Sequence, residues 1–199
     1  MVERVDIIGY ILALFVIGVS LKIYLDSDTF NLKCIVSHVD GNKYCVRETI
    51  KSQETADLLA NVTVKLTRLV NIAHNKYPSK ENIKRLHKNF NPRKIKEILP
   101  TSEYTAFSEN KGEKIAFCTT TTKEGGEMID ENTLTFVALH ELSHIMTESI
   151  GHKNEFWANF KFLLKIAVDN KLYIPIDYSK KKQGYCGMDI VDNPYYGEK

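Results

Sequence analysis

The stretch HELSHIMTESIGHKNEFW, residues 140 to 157, constrains this chain more than any other, because it places three of its six histidines within thirteen positions. On an α-helix, residues four apart share one face, with Cβ atoms about 5 to 6 Å apart. His140 and His144 can therefore reach one ion together, at the roughly 2.0 to 2.1 Å of a zinc to imidazole bond. Glu141 follows the first histidine, rotated around the helix toward the open side of such an ion. From there its carboxylate can take a proton from a bound water instead of ligating.

Catalytic zinc takes three protein ligands and keeps one position open. His152 is the expected third ligand. A helix running straight on from His144 would carry residue 152 about 12 Å along its axis, too far to share an ion. The chain has to turn back, and Gly151 is the residue that can take the left-handed conformation. Glu148 and Glu155 are alternative third ligands, Glu155 the better placed because it lies beyond the turn. Histidines suit several divalent ions, of which Zn2+ is the one expected.

The histidine-bearing helix is expected from about residue 132, with Leu134, Val137, Ala138 and Leu142 packing inward. Two β-rich runs precede it, YTAFSE (104–109) and KIAFCT (114–119), flanking Asn110, Lys111 and Gly112 in a hairpin. Residues 114–119 are expected at the sheet edge, where an extended substrate could pair with them. Residues 120–127 read as a polar loop. Upstream, residues 52–77 place Leu58, Leu59, Val62, Leu66, Leu69, Val70 and Ala73 on one side of a helix, with Ser52 as its cap. A shorter helix is expected over 80–89, and Pro92 opens another helical turn or two. Downstream, Phe156, Trp157, Phe160 and Leu163 belong to a helix that runs to about residue 170 and packs the histidine helix from behind. The tail has one short strand around 186–191. Among its tyrosines, Tyr178, Tyr185, Tyr195 and Tyr196 are candidates for stabilising an oxyanion.

At the other end, residues 7–21 (IIGYILALFVIGVSL) carry no charge and precede Lys22, Ile23, Tyr24 and Leu25. Fifteen such residues fall short of the roughly 20 that span a bilayer. With Lys22 snorkelling, the usable stretch reaches Leu25, about 19 residues. A signal peptide and a buried core helix are the rivals, and the expected reading is a transmembrane anchor meeting lipid through residues 7–25. Its sidedness stays open. Lysine and arginine counts favour a cytoplasmic C-terminal part. The cysteines favour an oxidising compartment: Cys34 and Cys45 flank the turn Asp40-Gly41-Asn42, where a disulfide is geometrically possible and reduced thiols are equally allowed.

With 199 residues, the chain has room for one ordinary domain and something small, and a net charge of +2 gives no reason to expect a nucleic-acid partner.

HELSHIMTESIGHKNEFW resembles the zincin metallopeptidases of the SprT-like and WLM type, in which H-E-x-x-H on a helix follows a hairpin and is followed by a loop, a further histidine and an aromatic pair. The whole chain, with YCVRE, EYTAFSENKGEKIAFC, YCGM and NPYYG, is similar to a group of membrane-anchored metallopeptidases of large DNA viruses. The resemblance implies His140, His144 and His152 as zinc ligands and Glu141 as catalytic base and acid. Seven residues separate His144 from His152, where many such motifs have five, and no cysteine-rich zinc ribbon is present.

Together these readings predict an α+β protein. Residues 1–25 are a membrane anchor, 26–51 a cysteine-containing hairpin and linker, and 52–199 a small zincin-like domain with antiparallel hairpins and a metal-binding helix. The expected activity is hydrolysis of a peptide or protein substrate by a single-pass protein of a virion or host internal membrane. The alternative is a non-catalytic virion or membrane structural protein with a structural metal site.

Overall fold

The computed structural model describes residues 2–25 and 32–197. Part of the expected linker, residues 26–31, lies outside them. The chain forms α1 (Val2–Leu25), β1 (Leu32–Val36), β2 (Lys43–Arg47), α2 (Ser52–Lys76), α3 (Glu81–Asn89), β3 (Ile95–Glu97), β4 (Ala106–Glu109) and β5 (Lys114–Phe117). Then come β6 (Thr120–Thr122), β7 (Gly125–Met128), α4 (Glu131–Met146), α5 (Asn154–Asp169), β8 (Gln183–Tyr185) and β9 (Met188–Ile190). The class is α+β, as expected.

The transmembrane expectation is corrected. Among the described residues no helix is long and apolar enough to cross a membrane. The physical reason lies in α1 itself: its uncharged run of fifteen residues rises only roughly 22 Å, against about 30 Å of hydrocarbon. Arg4, Asp6 and Lys22 bound that run, and crediting Lys22 as a snorkelling residue overextended it. The single-pass membrane location falls with the span.

The main sheet has the order β1-β2-β3-β5-β4. β1 and β2 are antiparallel, with Cys34 directly opposite Cys45 in a disulfide. β3 is parallel to β2 and to β5, while β4 closes the sheet antiparallel to β5. Two readings are corrected here. The segment after Pro92 makes one 3-10 turn, Pro92–Lys94, and then becomes strand β3. Its insertion puts β5 inside the sheet and makes β4 the edge. A part-buried ion pair holds β3 against β2: Arg47 Nε donates to the buried Glu97 at 2.6 Å, and Thr119 Oγ1 donates to the same carboxylate.

The residues that set the helical period of α2 are all buried, and α2 packs on β1, β2 and β3 while α4 packs on β4 and β5. Ser52 does not cap α2 in the usual sense; its hydroxyl bonds the Arg47 and Thr49 carbonyls in the preceding turn. Residues 120–128 form the small hairpin β6–β7 rather than a plain loop, and the tail makes a second one, β8–β9. A second disulfide, Cys118–Cys186, ties the end of β5 to that tail hairpin.

Candidate metal centre

α4 begins where Asp130 accepts from the Thr133 N–H at 2.9 Å, an N-cap that satisfies one of the free amides of the first turn. Leu134, Ala138, Leu139, Leu142 and Ile145 are buried. Such a helix belongs in the middle of a fold. His140 and His144 are only half-buried, one turn apart on its open side. The helix stops at Met146, with the Thr147 N–H donating to the Ser143 carbonyl at 3.0 Å.

The loop that follows doubles back. Gly151 takes the left-handed φ of 80° that its position required, within the loop rather than at the helix end. His152 returns so that its Nε2 is 3.0 Å from His140 Nε2, while His144 Nε2 is 3.2 Å from the same atom. The three ligand-type nitrogens lie within 4.8 Å of one another. Phe156, fully buried, packs its ring 4.8, 4.4 and 4.6 Å from those of His140, His144 and His152. The aromatic helix α5 therefore floors the triad as well as filling the core.

Burial pushes the His140 imidazole down to about 3, helped by the charges of His144 and His152. It pushes His144 down to about 4, with His152 and Lys111 adding to the effect. Both rings are thereby held neutral, the form that ligates a metal. Three imidazoles whose ligand-type nitrogens lie this close together are a donor set that fits a divalent cation such as Zn2+. Glu148 and Glu155 are used elsewhere. Glu148 meets Arg85 at 3.1 Å, and Glu155 accepts from the Glu148 and Ser149 N–H groups at 2.9 and 3.1 Å.

Glu141 is 5% exposed, and burial pushes its carboxyl up to about 8. Beside it, Tyr185 is raised by burial and then by the Glu141 charge, and its hydroxyl donates to the Thr105 carbonyl at 3.0 Å. Of the four tyrosines singled out from sequence, Tyr185 lines the cleft in front of the triad. Tyr178 is buried with its ring 5.0 Å from that of Phe136, and the Tyr196 hydroxyl bonds the Pro175 carbonyl.

That cleft has a volume of about 800 Å³. β4 forms one wall, the β8–β9 hairpin another, and Phe136, Val137, Trp157 and Phe160 supply apolar surface beside the histidines. Sequence reading missed Lys111 and Tyr104, which also line it. An exposed tyrosine and a turn lysine carry no local mark of a site.

No family model matches the chain. It is 29% identical over 187 residues, 92% of its own length and 94% of the relative's, to an uncharacterized protein of Acanthamoeba polyphaga mimivirus. Shorter likenesses join it to uncharacterized proteins of Invertebrate iridescent virus 3, 39% identical over 30% of this chain and 36% of that one, and Invertebrate iridescent virus 6, 38% identical over 34% and 38%. Among solved structures it is similar to the crystal structure of Wss1 from Saccharomyces cerevisiae, at 15% identity and a TM-score of 0.48, over 69% of this chain and 98% of that one.

Proposed function

We propose that the chain is a zinc-dependent metallopeptidase, with His140, His144 and His152 as ligands and Glu141 as the group that moves the proton. The observation that carries this reading is the convergence of three Nε2 atoms on the open side of α4, at the mouth of a cleft that Glu141 also lines. A structural zinc site is closed by four protein ligands, whereas three facing a cleft leave room for a reactant.

Zinc, when bound there, polarises the scissile carbonyl and lowers the pKa of a water to about 7. The rest is supplied by the protein. Phe156 and Phe160 pack against the His140 ring and hold it in place. Glu141 accepts the proton of the attacking water and delivers it to the leaving amine, and its apolar surroundings make its carboxylate a stronger base than one in water.

The substrate is a peptide in extended form, lying along β4. The Cys118 N–H donates to the Thr105 carbonyl, so Thr105, Phe107 and Glu109 face β5 and the main-chain groups of Ala106 and Ser108 face the free edge. This moves the expected substrate strand from residues 114–119 to β4, whose residues line the cleft.

The full chain, incubated with Zn2+ and casein as an unstructured substrate, is expected to yield peptides, with loss of cleavage in His140→Ala and on chelation. Zinc uptake without cleavage by any preparation would leave a structural metal site.

A further inference from the structure

We infer that Lys111 is a positioning residue of the metal centre: its ammonium holds the end of α4 and the loop that brings His152 back to the other two histidines. The inference rests on reading those histidines as ligands.

His152 is exposed and meets Phe156 and Trp157 on one side only, so its place depends largely on the backbone of the loop that carries it. That loop leaves a helix whose last carbonyls have no partner within the helix. Lys111 Nζ reaches four carbonyl oxygens there: Thr147 at 2.8 Å, Ser149 at 3.1 Å, Glu148 at 3.3 Å and His144 at 3.4 Å. An ammonium has three protons to share among them, and its positive charge suits the negative end of the helix dipole. One cation thus joins the backbone of the second histidine to the segment leading to the third.

The turn that delivers Lys111 is itself fixed. In the four-residue turn between Glu109 and Lys114, Asn110 and Lys111 have φ of 47° and 58°, a left-handed conformation that favours glycine or asparagine. A lysine there is locally unfavourable, and its bonds to α4 offset the strain. Next to it, a Cβ on Gly112 would stand 2.6 Å from the Asn89 carbonyl oxygen, so the turn is seated against the end of α3. Arg85 Nη1 at the Met146 carbonyl, 2.7 Å away, and Glu155 at the Glu148 and Ser149 amides brace the same loop from other sides.

The test compares full-length wild type, Lys111→Met and Lys111→Arg by Zn2+ affinity, by the visible spectrum of the Co2+-loaded protein, and by hydrogen exchange over residues 147–153. Lys111→Met is expected to weaken Zn2+ binding about 10- to 100-fold, the range for partners that orient metal ligands. It should also alter the Co2+ spectrum and speed exchange in the loop while leaving exchange in the middle of α4 unchanged. Lys111→Arg, which keeps the charge, is expected to restore most of each. If Lys111→Met does not fold, Lys111→Asn carries the same comparison, since asparagine tolerates the left-handed backbone better. Wild-type values in a Lys111→Met or Lys111→Asn protein that binds zinc would overturn the positioning role alone. A folded wild type that takes up neither ion would overturn the metal reading and this role with it.

Discussion

The Nε2 atoms of His140 and His152 lie 3.0 Å apart although the two residues are twelve positions apart along the chain. A continuous helix would have put those residues roughly 18 Å apart along its axis. The difference is made by the stop at Met146 and the left-handed Gly151. It gathers three imidazoles next to a carboxyl, that of Glu141, which is itself buried.

Glu141→Gln is expected to leave zinc content and unfolding temperature close to wild type and to lower kcat on casein by about 10²- to 10⁴-fold, the range for loss of a general base. A variant that kept its activity would remove Glu141 from the chemistry.

The disulfide Cys118–Cys186 closes a sequence separation of 68 and anchors the hairpin that carries Tyr185, Met188 and Ile190 into the cleft wall. Replacing both cysteines by serine is expected to lower stability to urea by about 4 kcal/mol, from the entropy of closing a loop of that length. KM should rise more than kcat falls, because the histidines stand on other elements. Unchanged stability would show that the tail hairpin is held by its packing alone.

Glu155 titrates below the ordinary carboxylate value of 4.5, first because the Glu148 N–H bonds it and then because Ser149 does. A depressed folded pKa contributes stability that is present above the unfolded value and is lost as pH falls through the folded one. Unfolding of the metal-free chain, followed from pH 6 to 3, is therefore expected to show a loss of stability below about pH 4.5 that is smaller in Glu155→Gln. Parallel curves for the two proteins would contradict a role for the charge in holding the loop.

The parts legible in the sequence are those with a local signature. The period of α2, the turn at Asn110 to Gly112, the histidine spacing and the glycine before His152 each follow from residues close to one another. What escaped is non-local. The segment after Pro92 has helix-permitting composition, yet it pairs between β2 and β5, and that pairing alone decides that β4 is the edge. Cys118 and Cys186 sit in runs that gave no reason to bring them together, and Lys111 acquires its role only when its turn meets the end of α4. At the N-terminus the failure was one of length: hydrophobic composition was read as a span, and the uncharged run is too short for one.

Metal content measured by mass spectrometry on the purified full chain, beside His140→Ala and His152→Ala, tests the central claim most directly. The account predicts about one zinc per wild-type chain, as one three-histidine site requires, and its loss in both variants. A folded wild type without metal, or zinc retained in full by both variants, would contradict it.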